Sequence, residues 1–378
     1  MKLVAFLAAC AVLACAQRHK LGEINTETEE GKVLQAIGSE EDAGRKLQLM
    51  ESFVSKYGKH AAAGWVWSQL QPAYNKAGNF DKAVQAGEQL FAIDAGDMDA
   101  AYGSLKASEG KKDAPGVLKW AVTTSDLARK TATAPKREDQ TDEEYKQAVD
   151  FAKQVDTYTE YSLYATGLAE PNPQNVVQLA HALEARNPNS QYLPQVMSRY
   201  AWAAREAKVM PEAVAFGERA FARKQFNEDL LAAMADYYLN ANPKQPEKVL
   251  EFSGKLVEVI SSKPRPEGVS EADWAKKKSL MLGLGHWMAG STYGSQSKHA
   301  LTDKSFRSAL PYIKDNDQLL AGALFHLGVA NYQIGKGKNT QQMVEAVNFM
   351  KQCAALKSPY QAKAQQNLAV MRKETGGK

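Results

Sequence analysis

Six histidines, three cysteines and a few close carboxylates are the side chains here that could bind a metal or move a proton. The histidines (His19, His60, His181, His286, His299, His326) are scattered, and none takes the H-x-x-x-H or H-E-x-x-H spacing that sets two imidazoles on one helix face. No C-x-x-C pair is present, so the sequence offers no structural zinc site. The "GLG" at 283–285 lies in a helical pattern, where glycine lets helices approach, not in a phosphate-binding turn. His286 beside it reads as a groove-lining or packing histidine, not a catalytic base. Cys353 sits at a packing position with no basic neighbour in sequence, so it reads as a buried, inert thiol. The carboxylates of "SEED" (39–42) and "DEE" (142–144) fall in turns or first helical turns, where negative charge favours the helix dipole. These residues predict no catalytic centre, no metal and no cofactor.

The elements that would carry any site are helical. The chain has 378 residues with 44% hydrophobic content, enough for two ordinary domains or one long array. Lysine plus arginine number 47 against 43 acidic residues, and no basic stripe with interleaved aromatics appears, so nucleic acid is not an expected partner. "KKK" at 276–278 and "PKRED" at 135–139 read as solvated faces and loops.

The N-terminus has the order of a secretory signal: Lys2, an apolar run from Leu3 to Leu13, then Ala14-Cys15-Ala16 before a polar stretch. Cleavage after Ala16 is the first reading. "VLAC" at 12–15 also matches a bacterial lipobox loosely, with Leu13 as its departure, and would make Cys15 a lipidated first residue. The chain is therefore expected to be exported and periplasmic, with an outer-membrane lipoprotein as the alternative. No later window is long and apolar enough to span a bilayer.

Recurrence organises the rest. "GWVWSQLQPAYNKAGNFDKAVQAGEQLFAID" (64–94) reads as two amphipathic helices joined by a polar turn, with Trp67, Leu70, Tyr74, Ala83, Gly87 and Leu90 on the packed faces. "KAVQAGEQLFA" (82–92) aligns without gaps to "EAVAFGERAFA" (212–222), with six identities at packing positions. The type returns at Glu247 and Glu345, and first helices recur at Gln195, Leu230 and Ala323. Looser pairs fall near 98–130, 142–188 and 280–313. "DAGRKLQLMESFVSKYGKH" (42–60) reads as a lone second helix, and "PYQAKAQQNLAVMRKE" (359–374) as a polar cap.

This pattern resembles the tetratricopeptide repeat, a helix-turn-helix unit of about 34 residues. Gln71, Gly87 and Ala95 depart from its usual residues. The rhythm of "FVSKYGKHAAAGWVWSQLQPAYNKAGNFDKA" and "LEARNPNSQY" is also similar to bacterial envelope assembly proteins of this family, with Gly58 and His60 as departures. The resemblance implies an all-α, right-handed superhelical solenoid of about six to seven helix pairs with a C-terminal capping helix.

The resemblance also implies a concave groove lined by first helices. Carried onto this sequence, the inward positions are Trp65, Ser68, Pro72, Asn75 and Lys76, then Gln195, Ser198, Trp202, Arg205 and Glu206. Further along they are Asp229, Asp236, Asn240, Phe325, Val329, Tyr332 and Gln333. The partner-binding candidates are Trp65, Lys76, Trp202, Arg205, Asp236, His286, Phe325 and Tyr332, of which interface energetics make Trp65, Trp202, Arg205 and Tyr332 the best anchors. The lysine and asparagine set with which some members clamp a peptide carboxylate is missing.

The expected organisation is a signal peptide (1–16), a flexible polar segment (17–38), repeats at 39–130, 145–262 and 279–378, and charged loops at 131–144 and 263–278, which read as inter-repeat loops or as seams between sub-arrays. Ser270 with Asp273 is an N-cap pattern for a following helix. The expected function is a non-enzymatic scaffold binding a protein or peptide, tethered to the membrane if Cys15 is lipidated. Alternatives are an enzyme or small-ligand sensor on a helical array, or a self-associating structural protein.

Overall fold

A computed structural model describes residues 18–206, 209–337 and 340–374; the side chains of Ser198, Trp202, Arg205, Met210 and Thr340 also lie outside it. The signal segment and Cys15 fall outside the described residues. Within them the chain is all-helical, without strands, and seventeen α-helices follow one another.

The chain divides into two compact units between Met210 and Pro211. The N-terminal unit holds α1 (Glu29–Ser39), α2 (Ala43–Tyr57), α3 (Ala63–Lys76), α4 (Phe80–Ile93), α5 (Met98–Lys111), α6 (Ala114–Thr133), α7 (Asp142–Ala169), α8 (Pro173–Arg186) and α9 (Leu193–Glu206). The C-terminal unit holds α10 (Met210–Ala222), α11 (Glu228–Asn240), α12 (Pro246–Ser262), α13 (Glu271–Ser295), α14 (His299–Ile313), α15 (Asp317–Gly335), α16 (Thr340–Ala355) and α17 (Gln361–Glu374).

Local chemistry sets the boundaries. Side chains of Thr28, Asp42, Asp97, Asp113, Asn172, Asn227, Ser270 and Asn316 each accept a bond from an amide of the first turn that follows. Thr141 and Glu144 form a full capping box at the start of α7. Gly78 turns the chain between α3 and α4 at φ +72°, a conformation that costs a residue with a Cβ.

Within each run from α1 to α9 and from α11 to α17, every helix packs on its sequence neighbours, and from α3 onward the odd-numbered helices of a unit also meet one another. In the N-terminal unit α3, α5, α7 and α9 touch in series; in the C-terminal unit α11, α13, α15 and α17 do so. Even helices are joined chiefly by long side chains: Lys82 to Glu51, Lys119 to Glu88, Arg186 to Asp126, Lys248 to Glu218 and Arg307 to Glu345. The odd helices of each unit therefore meet directly, while the even helices, apart from α6 and α8, which pack on one another, are laced by ion pairs. Such exposed pairs contribute about 0–1 kcal/mol each, so burial of residues such as Phe53, Leu70, Leu90, Phe252 and Phe306 carries the stability.

One register appears in both units. Glu51 accepts from the Tyr74 hydroxyl (2.8 Å) and the Lys82 ammonium (2.6 Å). Glu218 accepts the same two bonds from Tyr238 (2.6 Å) and Lys248 (3.2 Å). A Cβ on Gly87 would run into the Gln71 amide and the Ser104 hydroxyl, and one on Gly217 would lie 2.6 Å from the Met234 sulfur. Glycine at that slot lets a second helix lie against the first helices beside it.

Four expectations change. The 17–38 stretch is not a flexible polar segment where it is described: α1 buries Leu34 and Ile37, and Leu21 and Ile24 pack on the same cluster. Consequently α2 is no lone second helix, because α1 packs beside it. The charged loop expected at 263–278 ends earlier, since the Ser270 cap starts α13 at Glu271 and Trp274 is buried. Neither charged loop is a seam. α6 packs on α7 across the first and α12 on α13 across the second, while the division falls at the first turn of α10.

Candidate functional site

The odd layer of the N-terminal unit contains a cavity of about 490 Å³ between α3 and α5. From α3 come Ser68, Gln69, Gln71, Pro72 and Asn75; from α5 come Asp99, Tyr102, Gly103 and Lys106. Asp97, the α5 cap, and Arg18 and His19 from the segment before α1 complete the wall.

Helix pairing fixes the floor. The buried Gln71 amide donates to the Ala100 carbonyl (2.9 Å) and the Ser104 hydroxyl (3.1 Å), tying α3 to α5. Asn75 donates to the Gly103 carbonyl at 3.0 Å, while its own buried Oδ1 has no partner. Neutral amides that bridge two helices leave little freedom in the spacing between them, because a buried polar group left unpaired costs about 1–3 kcal/mol.

Two carboxylates hold the N-terminal segment. Asp97 is 3% exposed; its Oδ1 accepts from the Ala100 amide (3.0 Å) and its Oδ2 from His19 Nε2 (2.8 Å). Asp94 accepts from the Gly96 amide (2.8 Å) and from the Arg18 guanidinium. Arg18 holds the Asp94 carboxyl below the usual carboxylate range, outweighing its partial burial. Asp99 is an exposed side chain that opens onto the cavity. Desolvation on the cavity side, with the Asp97 carboxylate beside it, raises its pKa against the pull of Arg18.

Beyond Lys106 the surface becomes aromatic. Lys106 donates to the Tyr158 hydroxyl (2.5 Å) and lies 4.5 Å from its ring centroid, and Tyr158 donates to Glu109 at 2.7 Å. Tyr102 meets Tyr158 edge-on, and the chain of rings continues through Tyr161 and Tyr164 to Tyr192. Tyr161 is 47% exposed. Carboxylates at one end and stacked rings at the other suit a polypeptide with a basic residue and an extended tail.

The residues singled out in the sequence fall elsewhere. Ser68, Pro72 and Asn75 line the cavity, but none of the six partner-binding candidates whose side chains are described does. Trp65 packs on the cluster around Leu34 and Phe53, and Lys76 is exposed in the last turn of α3. The side chains of Trp202 and Arg205 lie outside the described residues. Asp236 is exposed and accepts from Asn240 (3.1 Å). His286 is half-buried, and burial lowers its pKa. Phe325, 8% exposed, packs edge-on to His326 and tilted against Tyr360. Tyr332 donates to Glu374 of α17 at 2.8 Å.

Sequence reasoning missed Arg18, His19, Asp94, Asp97 and the tyrosine strip. The strip had a legible signal, because Tyr158, Tyr161 and Tyr164 recur every three residues on one face of α7. So did the complementary runs "RHK" (18–20) and "DAGDMD" (94–99).

Among the described residues no group of three His, Cys, Asp or Glu side chains is placed to hold a metal ion, and no helix is long and apolar enough to cross a membrane. The fold is an all-helical, repeat-like array with a cavity between α3 and α5. No protein-family model matches the chain, and no curated protein matches its sequence.

Proposed function

We propose that the chain is an exported, non-catalytic scaffold of the tetratricopeptide type that holds a protein or peptide against its odd-helix layer in the bacterial cell envelope. The observation that carries this reading is the α3–α5 cavity, where polypeptide (Arg18 and His19) is already held by side chains of the repeat framework. Supporting it, the Tyr–Glu–Lys link and the glycine slot recur in both units at the spacing a helix-turn-helix repeat requires. Export and periplasmic residence rest on the order of residues 1–16, with lipidation at Cys15 as the alternative anchor.

The test is a crosslinked pulldown from an envelope fraction with the full chain and with Asp99→Lys, which reverses charge on the cavity wall. Recovery of one stoichiometric partner by the wild type and its loss with Asp99→Lys supports the scaffold. Equal recovery by both removes the cavity as the binding face.

A further inference from the structure

Arg18 and His19 fit their surroundings as a ligand fits a seat. The two carboxylates that receive them, Asp94 and Asp97, flank the α4–α5 turn and are themselves fixed by the backbone amides of Gly96 and Ala100. Space is reserved as well. A Cβ on Gly64 would stand 2.8 Å from His19 Nδ1, and one on Gly96 would stand 2.6 Å from an Arg18 guanidinium nitrogen. Gly64 is in the first turn of α3, where any residue could take the backbone conformation, so close approach is what glycine supplies. Two acceptors of the cavity remain unused: Asn75 Oδ1 is buried without a partner, and Asp99 has none among the described residues.

From this we infer that the α3–α5 cavity is a recognition site for a basic residue pair, and that Arg18–His19 of this chain occupies it in cis, so that a partner segment carrying such a pair docks by displacing them. The inference rests on the scaffold reading and names the chemistry of its partner. Charge complementarity sets the choice: three aspartates within six residues (94–99) face a basic triplet (18–20), and the acceptors left over call for more donors. Tethering gives the cis occupant a high effective concentration, so a free peptide meets a blocked seat in the wild type.

The experiment titrates a labelled peptide, RHKLGEIN, corresponding to residues 18–25, into three forms of the full chain. R18A/H19A should bind it at least about ten-fold more tightly than the wild type, because the cis competitor is gone. Adding Gly64→Ala to R18A/H19A should abolish that binding by placing a methyl group where the imidazole ring sits. Alanine is the better helix former, so the loss will not reflect unfolding, and an unchanged melting temperature checks this. Equal affinity for the wild type and R18A/H19A, or unchanged affinity on adding Gly64→Ala, overturns the inference. So does a wild-type dimer that R18A/H19A dissolves, since the seat would then serve a second copy. Because the titration needs no partner, its failure with partner recovery intact removes the seat alone. Peptide binding without any partner supports the seat and removes the scaffold.

Discussion

His19 and Asp97, 78 residues apart in sequence, meet with 2.8 Å between Nε2 and Oδ2. The same carboxylate caps α5 through the Ala100 amide, so one side chain both starts a helix and holds the segment that precedes the array. Position of the N-terminal segment and integrity of the first groove are thereby coupled.

Asp97→Ala should therefore cost more than an ordinary cap, about 2 kcal/mol in the N-terminal unit, since it removes the cap bond and leaves a nearly buried imidazole unpaired. Asp97→Asn keeps a capping oxygen and should cost less than half as much. Urea unfolding of the three forms checks the order; equal midpoints would show that the pair contributes nothing.

Gly87 and Gly64 should respond in opposite ways to the same methyl group. Gly87→Ala forces a Cβ against Gln71 and Ser104, where the buried amide network cannot yield cheaply, and should cost about 1–3 kcal/mol. Gly64→Ala meets chiefly the His19 ring, so it should displace the N-terminal segment while leaving the melting temperature within a few degrees or raising it. Thermal melts, with limited proteolysis near residue 20, distinguish the two.

Much of this architecture was legible as periodicity, and the reasons for the failures are physical. The gapless match of 82–92 to 212–222 marks a packing register, and the structure shows its glycine against the neighbouring helices in both units. Charged, proline-bearing loops looked like seams because composition reports solvent exposure, not whether the flanking helices pack across the loop, as α6 and α7 do. Aromatic type alone misplaced Phe325, which satisfies itself against His326 and Tyr360. The seat for Arg18 and His19 was missed because its two halves are far apart in sequence: the runs are complementary in charge, but each alone reads as a solvated charge run.

Acid should weaken the C-terminal unit at Glu228. Burial opposes ionisation there, but hydrogen bonds from Lys263 (2.5 Å) and its own backbone amide, with the Lys277 ammonium 3.0 Å away, hold its pKa below the ordinary value of 4.5. A folded-state pKa below the unfolded one means stability present above the unfolded pKa and lost as pH falls through the folded one. Glu228→Gln should thus destabilise by about 2–3 kcal/mol at pH ~7 and by much less at pH ~3. Chemical denaturation at both pH values checks it; an equal penalty at both would mean that charge is not the source.

Cys353 should resist thiol reagents in the folded protein. It is fully buried, its thiol donates to the Ala321 carbonyl (3.3 Å), and burial pushes its pKa up to about 11. At pH ~8 little thiolate is present and none is accessible. Mass spectrometry of the Cys353 peptide after alkylation should show negligible labelling under native conditions and complete labelling in denaturant. Rapid native labelling would place Cys353 at a surface.

The central claim, that the odd-helix layer of the N-terminal unit is a polypeptide-binding face, is tested most directly by photo-crosslinking in cells. A photoreactive residue at Ser68 faces the cavity, and one at Glu88 lies in the even layer. The account predicts one discrete adduct from Ser68, strengthened in R18A/H19A, and none from Glu88. Adducts from Glu88 with none from Ser68 would contradict it.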